Sequence, residues 1–533
     1  MLSLALLLAA AVAARDPYTR QPGVDAIHYA FQITLSDTSD QIDGTASVEI
    51  RFAQPELRSF WLDLTSDVAG KGMTVAGVSS DGIPVPFEHR SDRLRMTLGV
   101  APAVDEHRTF VIRYHGIPGA GLFIGKNKFG ERVFMGLNWP DKARQWLPMI
   151  DHPSDKATSE FIVTAPSTYQ VVANGLLVEE TDLGDRRRRT HWKQAVPISS
   201  WLNAIGVAQF AVHHAGLING IPLQTWAYHQ DSARGPATFE LPARRAVEFF
   251  SEHVGPYPYE KLANVQSAGM GGGTEHASVI FYGETSVADK PATNLVAHEI
   301  AHQWFGDAVT EADWDEVWLS EGFATYFTLL YTEHFDGRDA FVSGLRRSRE
   351  QVFALEKRLP GKAVLHDNLA DMKDVLNNLI YQKGGWTLHM LRGLIGTDPF
   401  WAGIRDYYHQ YRDRNVTTAD FRRIMEQHSG RDLRWFFDQW LTRPGHPVLE
   451  GTWRFDSATK RIVVDLASVG AGEVYRLPFE IGILADSASP LRVERLEMTQ
   501  RQQHFELSAD RAPASVTLDP NTWLLFEARF VPM

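Results

Sequence analysis

Asn294-Leu295-Val296-Ala297-His298-Glu299-Ile300-Ala301-His302 reads H-E-x-x-H, and eighteen residues separate His302 from the glutamate of Trp318-Leu319-Ser320-Glu321-Gly322. No proline or glycine interrupts 292–305, and its apolar residues fall at helical spacing, so a helix is predicted there. On a helix His298 and His302 stand at i and i+4, one above the other, where both imidazoles reach one ion. Glu321 opens a second helical pattern whose first turn can present a third ligand. Two imidazoles and one carboxylate suit a single zinc ion, with the fourth tetrahedral position open for water, as a catalytic site requires. Glu299, next to His298, can take a proton from that water as general base.

The rest of the chain brackets this site with strands. From about residue 25 to 210 the pattern has mostly period two, as in Tyr29-Ala30-Phe31-Gln32-Ile33-Thr34-Leu35 and Ala46-Ser47-Val48-Glu49-Ile50-Arg51-Phe52. Between 211 and 442 the period becomes helical, with helices expected over 241–254, 338–358, 372–395, 399–412, 418–428 and 432–441. Pro444-Gly445-His446-Pro447 breaks that pattern as a linker, and strand-like runs return at 461–466, 479–484 and 515–518. The expected fold is multidomain α+β: a β-sandwich-like N-terminal domain over 15–210, a mainly helical zinc domain over 211–445 and a small C-terminal β-sandwich over 446–533.

Composition narrows the function classes. The 533 residues carry a net charge of −12, with 44% apolar and 22% charged residues, as in an ordinary soluble protein and not one built to hold nucleic acid. The one basic run, Arg186-Arg187-Arg188-Arg189, reads as a solvated hairpin tip. Residues 1–14, MLSLALLLAAAVAA, resemble a secretory signal and are too short to span a bilayer, so an exported protein, periplasmic or secreted, without an integral membrane segment is expected. The absence of cysteine excludes disulfides and thiolate ligands.

Further motifs carry a resemblance. Gly269-Met270-Gly271-Gly272-Gly273-Thr274-Glu275-His276 resembles the G-x-M-E-N element of the M1 family of zinc aminopeptidases, gluzincins of the alanyl and membrane aminopeptidase type. Tyr381-Gln382-Lys383-Gly384-Gly385 resembles that family's Y-x-K-G, and 143–151 and 314–324 are also similar. The resemblance implies a thermolysin-like catalytic domain that removes N-terminal residues from peptides with a free amino terminus. It implies that Glu275 pairs with the substrate ammonium, and Tyr381 donates its hydroxyl to the oxyanion opposite zinc. Gly272 and Gly273 would let the substrate backbone approach closely.

Three positions depart from the family pattern, one of them Thr274 in place of its methionine. His276 replaces its asparagine, to help hold the amine or to pack. Trp139 falls where a second amine-binding Gln or Glu stands, and can offer an aromatic face to a cation or cap the first specificity pocket. The plainer alternatives are a solvated Glu275, a packing Tyr381 and a merely flexible glycine turn. Asp307 and Asp315 are candidates for hydrogen bonds to the ligand histidines, or else for capping or pairing at the surface. The family's large helical C-terminal domain has no counterpart before Met533, which would leave an open cleft in a monomer or one covered within a homodimer. A zinc endopeptidase and a catalytically inactive peptide-binding module remain as the competing readings.

Overall fold

The computed structural model describes residues 16–533 apart from 367, 368, 370 and 471, so the signal-like segment 1–14 lies outside the described residues. An eight-stranded sheet dominates the N-terminal region. Its strand Val24–Thr34 runs parallel to Lys156–Pro166 on one side and antiparallel to Ile42–Phe52 on the other. Alternating burial along Ile42–Phe52 follows from its period-two sequence: Ala46, Val48 and Ile50 are buried, while the residues between them are only partly covered. A three-stranded and a four-stranded sheet complete this region. Arg187–Arg189 begin the strand after the hairpin tip at Asp185 and Arg186, where both residues have positive φ.

A five-stranded sheet follows, in the order Phe210–Ile218, Ile221–Tyr228, Leu262–Ser267, Val279–Gly283, Gly273–Thr274. Its appearance corrects the expectation of helical structure from residue 211. Leu262–Ser267 and Val279–Gly283 are buried throughout, so both strands lack the polar–apolar alternation that identifies a half-exposed strand. Val265, Val279 and Phe281 join the core of the N-terminal region, whereas Leu262, Ile280 and Tyr282 join that of the helices. The sheet thus forms a shared wall, with the short strand Gly273–Thr274 at its edge.

Among the described residues, eight α-helices pack beyond it: α1 (Arg234–His253), α2 (Thr293–His302), α3 (Trp318–Asp336), α4 (Arg338–Arg358), α5 (Gly384–Ile395), α6 (Thr397–Tyr411), α7 (Thr418–Ser429) and α8 (Arg434–Phe437). The single helix expected over 372–395 is instead a 3-10 turn at Met372–Asp374, a π-helical turn at Leu379–Lys383 and then α5. Helices α3 and α5 meet through glycine: a methyl group on Gly322 would lie 3.0 Å from the Gly384 main chain. A larger residue at either glycine would push the two helices apart. Their close approach sets the π-turn beside the first turn of α3.

At the C-terminal end, a four-stranded sheet includes Val448–Asp456 and Arg461–Ser468, and a three-stranded sheet is centred on Leu477–Leu484. The two sheets meet through Phe479 and Phe505, whose rings are 5.7 Å apart. At the other end of the chain, Asp16 ties the N-terminal region to the helices, accepting hydrogen bonds from His152 Nε2 (2.7 Å) and the Trp314 amide (3.3 Å). Among the described residues no helix is long and apolar enough to cross a membrane.

Candidate metal centre

Helix α2 buries Val296, Ala297, Ile300 and Ala301 in the helical core, leaving His298 at its margin. The chain leaves the helix through Gly306, with φ +111°, and returns as α3 carrying Glu321 in its first turn. Three donor atoms then converge. His298 Nε2 lies 3.2 Å from His302 Nε2, and Glu321 Oε2 lies 3.4 Å from the first and 3.3 Å from the second. A tetrahedral zinc ion with bonds of about 2.0–2.1 Å requires donor separations of about 3.3–3.4 Å. The triangle fits. Glu321 Oε2 is also buried without a hydrogen bond, as a donor reserved for a cation should be.

The electrostatics point the same way. Burial raises the Glu321 pKa, but His302 and His298 outweigh it and hold this carboxyl far below its usual range. Burial disfavours a charged His302, yet the carboxylates of Glu275 and Glu321 overcome that and push its pKa well up. Burial lowers the His298 pKa, with Glu321 opposing. The pocket therefore demands positive charge.

A second group shares His302: ligand atoms of Glu275, Glu299 and His302 all lie within 4.8 Å of one another. Glu275 follows the edge strand Gly273–Thr274 and is 5% exposed; Glu299 is 4% exposed. Burial raises the pKa of each. For Glu299 the neighbouring Glu275 charge adds to the effect. A methyl group on Gly273 would overlap the Glu299 carboxyl group, so a side chain here would displace that carboxyl or push the strand away. Gly272, with φ +72°, has open space beside its α-carbon.

Tyr381 is half-buried on the π-turn, its ring 6.2 Å from that of His298 and nearly parallel to it. Burial, the Glu321 charge and a hydrogen bond to Glu321 push its pKa far up, so the hydroxyl keeps its proton.

Other expected residues are placed differently. His276 is completely buried, edge-on to Phe281 at 5.1 Å, and desolvation pushes its pKa down to about 4. A ring with no exposed surface does not contact a peptide in a cleft, so of the two roles considered for His276 burial favours packing over amine binding. Trp139 is half-buried in an aromatic group, 5.4 Å from Trp314 and 6.4 Å from Trp201. Asp307 accepts from Gln303 Nε2 at 2.7 Å and Asp315 from the Leu369 amide at 3.1 Å. The contacts of His302 Nδ1 are instead Phe305 O at 3.2 Å and Ser320 Oγ at 3.0 Å.

Two residues not singled out in the sequence matter here. Ser320, with the Phe305 carbonyl, favours the His302 tautomer that carries its proton on Nδ1 and leaves Nε2 free for a metal. Gln303 donates to the Glu275 carbonyl at 3.0 Å and accepts from Tyr257 and the Ser278 amide. It thereby fixes the end of α2 to the segment bearing Glu275. The signal for Ser320 is its position immediately before Glu321; for Gln303 it is its position immediately after His302.

The chain is also similar to known proteins over most of its length. A model described as "Peptidase M1 N-terminal domain" matches residues 25–202, and one described as "Peptidase family M1 domain" matches 241–440. Glutamyl aminopeptidase of Rattus norvegicus is 24% identical over 478 residues, which is 83% of this chain and 49% of that protein. The chain spans about half the length of the curated relatives it matches. The crystal structure of M1 zinc metallopeptidase from Deinococcus radiodurans is 25% identical with a TM-score of 0.69, covering 80% of this chain and 95% of that one. Legionella pneumophila aminopeptidase A in complex with aspartic acid shares the fold at a TM-score of 0.80 and 18% identity, over 96% of this chain and 60% of that one.

Proposed function

The chain belongs to peptidase family M1, and on that premise we propose that it is a zinc-dependent aminopeptidase, releasing N-terminal residues from peptides with a free amino terminus. The observation that carries this reading is the position of Glu275, buried with its carboxylate within 4.8 Å of ligand atoms of Glu299 and His302. Three buried carboxylates, Glu275, Glu299 and Glu321, cluster around His302. Buried charges are tolerated when they are paired. One divalent cation and one substrate ammonium balance all three.

His298, His302 and Glu321 would hold the zinc ion. When bound, zinc supplies Lewis acidity, which polarises a peptide carbonyl and makes water acidic enough to attack it. Glu275 binds the ammonium and so sets the scissile bond one residue from the amino terminus. Glu299 accepts the proton of the attacking water on its carboxylate and delivers it to the departing amine. Tyr381, still protonated, donates a hydrogen bond to the carbonyl oxygen as it gains negative charge. Gly272 and Gly273, at the sheet edge, admit the substrate backbone, and Trp139 forms an aromatic wall with Trp201 and Trp314.

The same reading includes the domain limits 15–210, 211–445 and 446–533, one zinc ion per chain, and export directed by residues 1–14. Glu275→Gln tests its core. The variant should retain zinc and raise KM for free-amine substrates at least about tenfold, as expected when an ion pair to the ammonium is lost. An unchanged KM would remove Glu275 from amine recognition and favour the endopeptidase alternative.

A further inference from the structure

The π-turn that carries Tyr381 also carries Lys383, and the two side chains go to opposite sides. Tyr381 is half-exposed, whereas Lys383 has no exposed surface. The buried ammonium is fully engaged. Its Nζ donates to Glu356 Oε1 on α4 at 3.0 Å, to the Gly445 carbonyl at 2.7 Å and to the Arg443 carbonyl at 3.3 Å. Those are as many acceptors as an ammonium has hydrogens.

The network continues outward. Glu356 Oε2 meets His446 Nδ1 at 2.5 Å, and the His446 ring stacks on Phe353 at 4.0 Å. His446 Nε2 lies 3.4 Å from Glu527 Oε1, at the start of the strand Glu527–Pro532. Tyr475 donates to the Gly445 carbonyl at 3.0 Å, and the Glu527 amide to the Pro447 carbonyl at 3.0 Å. Residues 443–447, which include the breaker Pro444-Gly445-His446-Pro447, are thus held from both sides.

A buried ion pair adds little net stability compared with an apolar side chain of the same volume. What such a side chain cannot do is select one position for two main-chain carbonyls. The turn is π-helical, a form found mostly as single turns and frequently at functional sites. Its register is therefore sensitive to what grips it.

We propose that Lys383 is a positioning residue: by holding the carbonyls of Arg443 and Gly445 it fixes the Tyr381 turn, so that seating of the C-terminal sheets sets where the Tyr381 hydroxyl stands. This rests on the role given to Tyr381 above. Lys383 touches no substrate and acts through the tyrosine.

The test is a double-mutant cycle on the full zinc-loaded chain, with a free-amine aminoacyl-anilide as substrate. Lys383→Met should lower kcat at least about tenfold, with KM within about twofold and zinc content unchanged, since misplacing a catalytic group by an ångström costs on that scale. In a Tyr381→Phe background the same change should cost less than about twofold more. If Lys383→Met does not fold, His446→Leu, which loosens Glu356 without touching the turn, should show the same pattern at smaller size. Wild-type kcat in the foldable variant, or a loss that multiplies with that of Tyr381→Phe, overturns the inference. Wild-type kcat in Tyr381→Phe alone overturns the role of the tyrosine itself, and the inference with it.

Discussion

Gly273 lies directly against the carboxyl group of Glu299: a single methyl group at 273 would occupy space the carboxyl already fills. The edge strand and the metal helix are therefore spaced by a missing side chain. Gly273→Ala forces either the strand outward or the carboxylate off its line, and each displaces the proposed base. Turnover should fall about ten- to a hundredfold, while zinc content, measured by atomic absorption, stays at the wild-type level. Unchanged turnover would show that the pocket tolerates a displaced Glu299.

Glu299→Ala and Tyr381→Phe separate the chemistry from metal binding. Neither is part of the triangle of donor atoms, so both variants should keep one zinc per chain. Loss of a general base costs about 10²–10⁴ in kcat, and loss of an oxyanion donor about 10²–10³. Kinetics on the purified variants check both values, and wild-type kcat in either one contradicts the role assigned to it.

Ser320→Ala should act on the metal and not on the chemistry. Removing its hydroxyl leaves Phe305 O as the remaining contact of His302 Nδ1. Zinc affinity, measured by competition with a chromogenic chelator, should weaken by about 10- to 100-fold, the usual cost of losing such a partner. A fully zinc-loaded variant should turn over normally; undiminished affinity would show that the carbonyl alone orients the ring.

Asp16 gives a pH-dependent prediction remote from the metal. Burial raises its pKa, but His152 and Arg20 outweigh burial and bring it from 3.8 to about 2. The folded-state pKa is depressed, so the stabilisation is fully present above pH 3.8 and disappears as pH falls through about 2. A shift of this size corresponds to about 2 kcal/mol at neutral pH. Asp16→Asn should lower denaturation stability by about that amount at pH 7 and converge with the wild type near the acid end of the window, where a constant difference would place the effect in packing.

What the sequence made legible is what periodicity or fixed spacing encodes. The histidine pair needs only i, i+4 on a helix, and Glu321 needs only the start of the next helix; the structure brings all three donor atoms together. The five-stranded sheet was hidden because strands buried on both faces have no period. The π-turn was hidden because Leu379–Lys383 and α5 share one continuous apolar pattern, and the extra residue in the turn leaves no compositional mark. The packing role of His276 depends on Phe281 across a turn and strand, a contact that residue spacing does not announce. Ser320 is a common residue whose meaning appears only once His302 is seen beside it.

The central claim is that Glu275 measures from a free amine while zinc drives hydrolysis. Its most direct test is a matched pair of alanyl and glutamyl anilides, each free and N-acetylated, assayed with and without a zinc chelator. The account predicts cleavage of the free-amine substrates alone, abolished by the chelator and restored by added zinc. Cleavage of the acetylated substrates at comparable rates, or hydrolysis that survives removal of zinc, would contradict it.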